Sequence, residues 1–421
     1  MKGQITDERY YWLWLQELIG IGSDKVLDIF KNFSSPKEFY EAEISKIIAA
    51  DILTDNEILK INKTFNKKFL DILKYCDQNN IRMVTYLSDE YPECLRVTEA
   101  PPLLLFVRGE SLMNIFPAFG VVGTRKATEL GEKSAFSVAA KLSLAGFTIV
   151  SGGALGVDKM AHIGAIAAGG KTVVVLGCGI DSNYLKSNKA MRDAAEIKGA
   201  LVSEFLPKST AKRYNFPIRN RIISALSSGV AVIEAGEKSG ALITANYAAE
   251  QGKEVFTVPG SIEKEEYKGN NRLIKDGAIP ITDIEDILNV YEGRFGDIIN
   301  RNIKLTKGIT AVLYAELEKR KNKIGYKAVK SSKYKNNKTE NNNLSEKMPL
   351  KIKTFSANNL KCSDNGKRIM ECFCEEIMSA DVLSAKSKVL GAEFLTAVTE
   401  LELKGYIKAV PVGRYKILTD K

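Results

Sequence analysis

One pattern constrains the fold of this chain more than any other: from about residue 116, short apolar runs alternate with amphipathic helical stretches. The apolar runs are Ala118–Val122, Thr148–Val150, Thr172–Leu176, Ala200–Glu204, Val230–Glu234 and Glu254–Val258. The helical stretches include Glu129–Ala145, Asp158–Ala168, Asn220–Leu226 and Ala241–Glu250. Strands that alternate with helices of this length need crossover connections, which predict a mainly parallel sheet. We therefore expect a Rossmann-like α/β core over residues 116–290, with ligands at the carboxyl ends of its strands.

The segment before this core reads as helical. Within residues 8–75, YYWLWLQELIGIGSDKVLDIF predicts two helices joined by a hairpin at Leu18–Gly22. In helix-hairpin-helix proteins the amides that open the second helix hold a DNA phosphate, although many such hairpins serve only packing. We predict an N-terminal helical domain of helix-hairpin-helix or SAM-like type over residues 8–75, followed by a connecting segment over 76–115.

The charge of the chain is concentrated in one stretch. The net charge of the 421 residues is +10, and between Lys319 and Lys353 twelve Lys and Arg residues stand against Glu340 and Glu346. That stretch therefore carries +10, and the rest of the chain is neutral. Its polar composition, as in KYKNNKTENNN, cannot bury enough surface to fold. We predict a basic disordered linker over residues 319–361, which either remains a solvated spacer or contacts nucleic acid.

The residues after this linker have the order of a winged helix. Three helical stretches, Arg368–Glu376, Ser379–Lys388 and Gly391–Lys404, precede two apolar runs at 406–410 and 415–417 that suit a two-stranded wing. We predict a winged-helix domain over residues 366–421. Its surface charge is mixed, so both a DNA-binding and a protein-binding or regulatory role stay open.

Several function classes are excluded by composition. No apolar run approaches the roughly 18 residues that a membrane span needs, and charged residues occupy the N-terminus where a signal peptide needs its apolar core. Six scattered cysteines make no disulfide framework, so we expect a cytoplasmic protein. With one histidine, His162, and no suitably placed cysteines, we expect no metal site.

Nucleotide cofactors are also disfavoured. The first strand of the core leads into Gly123-Thr124-Arg125, which lacks the glycine spacing of a dinucleotide fold, and the next strand ends in Ser151-Gly152-Gly153 where a ribose-binding acid belongs. A relaxed phosphate-loop match at 165–172 follows a helix and precedes a strand, the reverse of the required order. We expect no cofactor.

The strand ends instead carry residues suited to phosphate and bases. Gly123-Thr124-Arg125 offers an exposed arginine at a glycine turn, and Ser239-Gly240 opens a helix whose amides could hold a phosphate. The segment Lys212–Arg221 is the most informative, because it combines four cations with two aromatics. Cations that follow a backbone and rings that stack on bases are typical of sequence-tolerant single-strand binding. Asp158 and His162 share a helix face and could form a general-base pair, although a structural hydrogen bond is the simpler interpretation.

Six motifs, taken together and in this order, resemble the bacterial DNA-processing protein family DprA, also called Smf. They are EYPECL with PPLLLFVRG, VVGTRKAT, SGGALGVDKMAH, NFPIRNRIISALS, EAGEKSGALITANYAAEQGKEVFTVPG and GNNRLIKDGA. The resemblance implies an extended Rossmann fold that dimerises, and a non-enzymatic protein that binds single-stranded DNA, protects incoming strands during natural transformation and loads the RecA recombinase. It also implies a DNA pocket, whose residues here are Gly123, Thr124, Arg125, Lys186, Lys212, Arg213, Phe216, Arg219, Asn220, Arg221, Ser239 and Gly240.

Two other classes compete with this interpretation. Rossmann-like phosphoribohydrolases of nucleoside monophosphates carry a PGGxGTxxE signature, whereas the equivalent turn here reads EAGEKSGALITA. The second class is a pure interaction scaffold. Whether the protein shifts oligonucleotides at physiological salt distinguishes a DNA-binding protein from such a scaffold.

Overall fold

The computed structural model describes residues 5–184, 186–320, 362–373, 377–389, 391–410 and 414–418. The chain divides into two units, Met1–Ser331 and Ser332–Lys421, which we describe separately. No helix in these described ranges combines the length and hydrophobicity that crossing a bilayer requires.

The first unit is built on a nine-stranded sheet in the order β1-β2-β6-β5-β4-β3-β7-β8-β9. The strands are β1 (Arg82–Thr85), β2 (Leu104–Gly109), β3 (Ala118–Val122), β4 (Thr148–Ser151), β5 (Thr172–Leu176), β6 (Ala200–Ser203), β7 (Gly229–Val232), β8 (Glu254–Thr257) and β9 (Ile279–Pro280). Strands β3 to β9 run parallel, and β2 pairs antiparallel with both β1 and β6. The expected mixed α/β fold with a mostly parallel sheet is confirmed.

Helices cover both faces of this sheet, as its continuous apolar strands require. The helices of this unit include α1 (Arg9–Ile19), α2 (Val26–Asn32), α3 (Pro36–Glu41), α4 (Ile44–Ala49), α5 (Asp55–Ile58), α6 (Lys67–Gln78), α7 (Glu93–Arg96), α8 (Glu129–Leu144), α9 (Val157–Ala167), α10 (Lys189–Lys198), α11 (Asn215–Leu226), α12 (Ala241–Glu250), α13 (Lys268–Lys275), α14 (Glu285–Phe295) and a helix over 307–320. Helices α8, α9 and α14 pack in one core cluster with Phe119 and Ile149, and helices α11 and α12 pack in another with Val122 and Val173.

The winding of the sheet defines where a ligand belongs. Strand β3 lies between β4 and β7 and runs parallel to both, so the chain winds outwards from β3 in two directions. The helices that follow neighbouring strands diverge at this point and leave a crevice outside the carboxyl ends of β3 and β7.

The N-terminal helices α1 to α6 pack against this core within the same unit. The predicted break is confirmed: α1 ends at Ile19, and Gly20 and Gly22 adopt φ values of +81° and +79°, which favour glycine. A side chain of α1 also reaches the core, since the Nε2 of Gln16 donates to the carbonyl oxygen of Glu204 (3.1 Å).

Residues 82–109 differ from the sequence interpretation. Strands β1 and β2 lie inside the segment expected to be a connection, and they extend the sheet through the pairing of β2 with β6. The side chains of Leu104 to Val107 are fully buried, so the apolar run in PPLLLFVRG forms a strand at the core.

Within its described residues, the second unit has three helices and a small antiparallel sheet. The helices are Asp364–Glu371, Ala380–Ser387 and Gly391–Leu403, and the strands are β10 (Ile377–Ser379), β11 (Ile407–Val410) and β12 (Arg414–Ile417), in the order β10-β12-β11. Phe394, Val398 and Leu401 are buried on one face of the third helix. Most of the predicted basic linker, residues 321–361, lies outside the described residues.

Candidate nucleic-acid interface

A cavity of about 680 Å³ lies at the carboxyl ends of β3 and β7. Its walls come from the loop after β3, the first turns of α9 and α11, and the loop between β7 and α12. The residues singled out by the sequence that line it are Gly123, Thr124, Arg125, Phe216, Arg219, Asn220, Ser239 and Gly240. The fold therefore gathers residues from three separate motifs at the crevice where open α/β sheets bind ligands.

The loop after β3 holds Arg125 at the cavity rim. The backbone N–H of Thr124 donates to the carbonyl oxygen of Glu234 (2.7 Å), and the Thr124 carbonyl accepts from the N–H of Val157 (3.2 Å). Gly123 is needed for this close approach, because a Cβ there would lie 2.6 Å from the Cγ2 of Val157. The loop is thus fixed on both sides, while the Arg125 side chain stays exposed.

Phe216 supplies an aromatic wall beside these cations. The guanidinium carbon of Arg125 lies 4.4 Å from the centroid of the Phe216 ring, and that of Arg219 lies 6.0 Å away. The ring of Tyr184 is 5.5 Å from the same ring, centroid to centroid. Cation–π attraction holds the guanidinium groups near the ring, so charge and an aromatic surface are presented together.

Arg219 is a cation held almost entirely inside the protein, with 3% of its surface exposed. Its Nη1 donates to the carbonyl oxygens of Gly152 (2.7 Å) and Val175, and its Nε donates to the Oδ1 of Asn220. Burial lowers the pKa of Arg219 to about 10, against the opposing pull of the Asp158 carboxylate, so the group stays protonated at neutral pH. Its hydrogen-bond partners in the described ranges are all neutral oxygens, an arrangement suited to an anionic ligand.

Asn220 connects Arg219 to the start of α12. The Nδ2 of Asn220 donates to the carbonyl oxygen of Gly240 (3.2 Å), while its Oδ1 accepts from Arg219. A Cβ on Gly240 would meet nothing within 4 Å, so the backbone of this turn is open to the cavity. The positive end of the α12 dipole therefore faces the same space as the two arginines, while the N–H groups of Ala241 and Leu242 donate to the Oγ and the carbonyl oxygen of Ser239.

The cavity is not uniformly basic. Arg125, Lys126, Arg219 and Lys238 line it together with Asp158, Glu237 and Glu265. Asp158 is buried, and burial raises the pKa of its carboxyl group. The Oε1 of Glu265 is 2.6 Å from the Nζ of Lys268, so that charge is locally compensated. Anion-binding character is therefore concentrated on the side of Arg125, Arg219 and the start of α12.

Comparison with known protein families shows which family this chain belongs to. The family model described as DNA recombination-mediator protein A matches residues 82–292, half of the chain. The chain belongs to this family. The DNA processing protein DprA of Bacillus subtilis is 36% identical over 244 residues, which cover 58% of this chain and 80% of that protein.

Streptococcus pneumoniae provides a second relative and a solved structure. Its DNA processing protein DprA is 40% identical over 206 residues, covering 49% of this chain and 73% of that protein. The X-ray structure of DNA processing protein A (DprA) from this organism aligns at a TM-score of 0.57 and 29% identity, covering 73% of this chain and all of that one.

Four predicted site residues of this family member lie outside the cavity. Lys186 is exposed in a 3-10 turn, and Lys212 and Arg213 are exposed before α11. Arg221 is buried, and its Nη2 donates to both carboxylate oxygens of Glu204 (2.7 and 2.8 Å). Arg221 is committed to this ion pair and does not reach the cavity, which corrects its assignment as a phosphate ligand.

Asp158 and His162 do not form the general-base pair that their spacing allows. His162 is fully buried, and its Nδ1 lies 2.7 Å from the Oγ1 of Thr172. Burial lowers the pKa of His162 to about 3, so the imidazole is neutral near pH 7. Asp158 instead accepts a hydrogen bond from the N–H of Ala154 (3.4 Å). The contacts of this histidine are structural.

The cavity also contains cations that sequence reasoning passed over. Lys126 and Lys238 both line it and both are exposed. An exposed lysine has no distinctive pattern, yet each of these lies in the loop between a strand end and the next helix. That position was the signal that could have identified them.

Proposed function

We propose that this chain binds single-stranded DNA, independently of sequence, through the cavity at the ends of β3 and β7. The observation that carries the proposal is the cluster in which Arg125 lies over Phe216 while Arg219 stays buried and charged beside it. Arginines bind phosphates, which carry no sequence information, and an aromatic ring accepts any base.

The preference for single strands follows from the same cluster. The positive end of the α12 dipole, which also lines the cavity, adds to the attraction for phosphate close to the arginines. A base that stacks on the pair formed by Arg125 and Phe216 needs a free face, which a base inside a duplex does not offer. Membership of the DNA recombination-mediator protein A family supports a role in DNA processing.

We further propose that the chain acts by binding and not by catalysis. The resemblance implies that it protects incoming strands and loads the RecA recombinase in natural transformation or homologous recombination. His162 is neutral and enclosed, and Asp158 is buried beside a cation, so neither is placed as a general base for a bound strand.

The domain organisation and the oligomeric state are also proposals. We propose a helical domain over residues 8–75, a core over 116–290 whose sheet is extended by β1 and β2, and a winged-helix domain over 366–421. We also propose a homodimer, because a symmetric pair of cavities doubles the site and raises avidity for one strand. Light scattering tests this directly: a dimer mass is expected at micromolar concentration, and a monomer there would count against it.

A gel shift with single-stranded and duplex oligonucleotides of mixed sequence tests the proposed function. We expect the single strands to be retarded at physiological salt at lower protein concentration than the duplexes, with little dependence on sequence. Equal retardation of both forms, or none of either, would contradict the proposal.

A further inference from the structure

A second groove lies on the other side of the segment that enters α11. It has a volume of about 530 Å³ and is formed where the N-terminal helices meet the core. Its rim includes Gly20, Lys68, Lys212, Tyr214, Asn215 and Ile218. The first cavity is lined by Phe216, Pro217, Arg219 and Asn220 of the same segment. The first turn of α11 is thus the shared wall between the two spaces.

The rim of this groove repeats the chemistry of the cavity. Tyr214 is 61% exposed, and the Nζ of Lys212 lies 5.6 Å from the centroid of its ring. Lys212 forms no ion pair within the described part of the chain, so its charge is free for a phosphate. An exposed aromatic beside a free cation suits one base and its phosphate.

The N-terminal helices supply the opposite wall. Lys68, on α6, is exposed, and its Nζ lies 3.7 Å from the Oε1 of Glu17, the acidic residue in this groove. Lys68 therefore offsets Glu17, and Lys212 leaves the groove with a positive balance. The hairpin after α1 closes the end, since a Cβ on Gly22 would lie 2.8 Å from the Cγ2 of Ile218.

We infer that a strand bound in the cavity continues across the start of α11 into this groove, where a base stacks on Tyr214 and its phosphate contacts Lys212. The inference rests on the proposed function and adds a second subsite to it, contributed jointly by the core and the N-terminal helices. It also gives Lys212, which lies outside the first cavity, a place on the DNA path.

Fluorescence anisotropy with a series of oligothymidylates of increasing length tests this path on the full chain. A short oligonucleotide fills the cavity alone, and a longer one reaches the groove. Tyr214→Ala should weaken binding of long oligonucleotides about tenfold, the scale of one lost stacked base, and leave the short ones unchanged. Tyr214→Phe should bind like the wild type, because the ring remains.

Matched controls separate this effect from general surface changes. Tyr314 has the same exposed fraction, 61%, so Tyr314→Ala should bind oligonucleotides of every length like the wild type. Lys212→Ala should weaken binding of long oligonucleotides, whereas Lys74→Ala, which changes an exposed lysine outside the groove, should not.

The outcomes distinguish this inference from the proposed function. If Arg125→Ala weakens binding at every length while Tyr214→Ala and Lys212→Ala have no effect at any length, the proposed binding in the cavity is supported and the second subsite is wrong. If the wild type binds no oligonucleotide at all, both are wrong.

Discussion

At the scale of single residues, the partners of a buried charge decide what that charge can do. Arg219 and Arg221 are two positions apart on α11, and both are buried. Arg219 is held by neutral oxygens next to the cavity, so a phosphate can still gain from its charge. Arg221 already faces the carboxylate of Glu204, and a second anion there would compete with a formed pair.

The single histidine makes the pH dependence of stability testable. His162 has a folded pKa of about 3, while an unfolded histidine titrates near 6.5, so between these values only the unfolded chain binds the proton. Stability should therefore fall as the pH drops below about 6.5. From pH 7.5 to pH 5 the expected loss of unfolding free energy from this residue is about 2 kcal/mol.

Urea denaturation at both pH values measures this loss, and His162→Gln provides the reference that lacks the titrating group. The wild type should lose about 2 kcal/mol more than the variant on acidification. The NMR chemical shifts of the His162 imidazole should remain those of the neutral ring at pH 5. A midpoint near 6.5 in the folded protein would contradict the enclosed site.

The sequence could have predicted that Arg219 and Arg221 lie on different sides of α11. At about 100° per residue, positions 219 and 221 lie some 200° apart on a helix, so one side cannot use both. The segment Lys212–Arg221 was instead interpreted as one basic-aromatic cluster. By contrast, the placement of Arg125 and of Ser239-Gly240 followed from local signals, because each lies in a loop between a strand and the next helix, and these loops meet at one edge of the sheet.

At the scale of elements, α11 is the part that joins the N-terminal helices to the core. Its Arg221 pairs with Glu204, whose backbone carbonyl also accepts from Gln16 of α1. The Ile218 side chain packs so closely on Gly22 that no Cβ fits there. Both side chains of the ion pair are more than 90% buried, so solvent screens them little.

Breaking this ion pair should cost far more than breaking a surface pair. Glu204→Gln leaves Arg221 buried without a counter-charge, which should lower the unfolding free energy by about 3 kcal/mol. Asp193→Asn removes the partner of Lys189 in a pair that is more than half exposed on both sides, and should cost under about 1 kcal/mol. Urea denaturation compares the two, and similar small losses would show that Arg221 is adequately solvated.

The sequence predicted the bounds of two strands correctly, and every residue of both strands is buried. Strands β3 and β5 have the predicted bounds because both of their faces are covered and every residue is apolar or small. The start of α11 was placed five residues late, at Asn220 instead of Asn215, because Pro217 suggests a loop. Proline is tolerated in the first turn of a helix, where its missing N–H has no partner to lose.

At the scale of the whole molecule, the positions of the positive charges matter more for DNA binding than the net charge. The structure places the first two cations of the basic stretch, Lys319 and Arg320, on a helix over 307–320. Lys319 pairs with Glu316 and Arg320 with Glu132, so neither is free for DNA. The ten remaining cations of the stretch lie beyond residue 320. Any electrostatic tether therefore begins after this helix.

Replacing residues 321–361 with a Gly/Ser spacer of equal length keeps the reach and removes the charge. For single strands the logarithm of affinity falls with the logarithm of salt by about 0.7 per phosphate neutralised. If the stretch engages three or four phosphates, the slope should flatten by roughly 2–3, and binding at high salt should persist through the cavity. Equal slopes for both proteins would show that these lysines form only a solvated spacer.

The central claim, that a single strand binds in the cavity at the ends of β3 and β7, is tested most directly by comparing two arginine variants in one anisotropy titration. Arg125 and Arg294 are both exposed, and each lies over a phenylalanine ring, at 4.4 and 5.1 Å respectively. They differ in that Arg125 lines the cavity and Arg294 does not. Arg125→Ala should weaken binding of a mixed-sequence single strand by roughly 1–3 kcal/mol, and Arg294→Ala should leave it unchanged. Equal affinities for the two variants would contradict the claim.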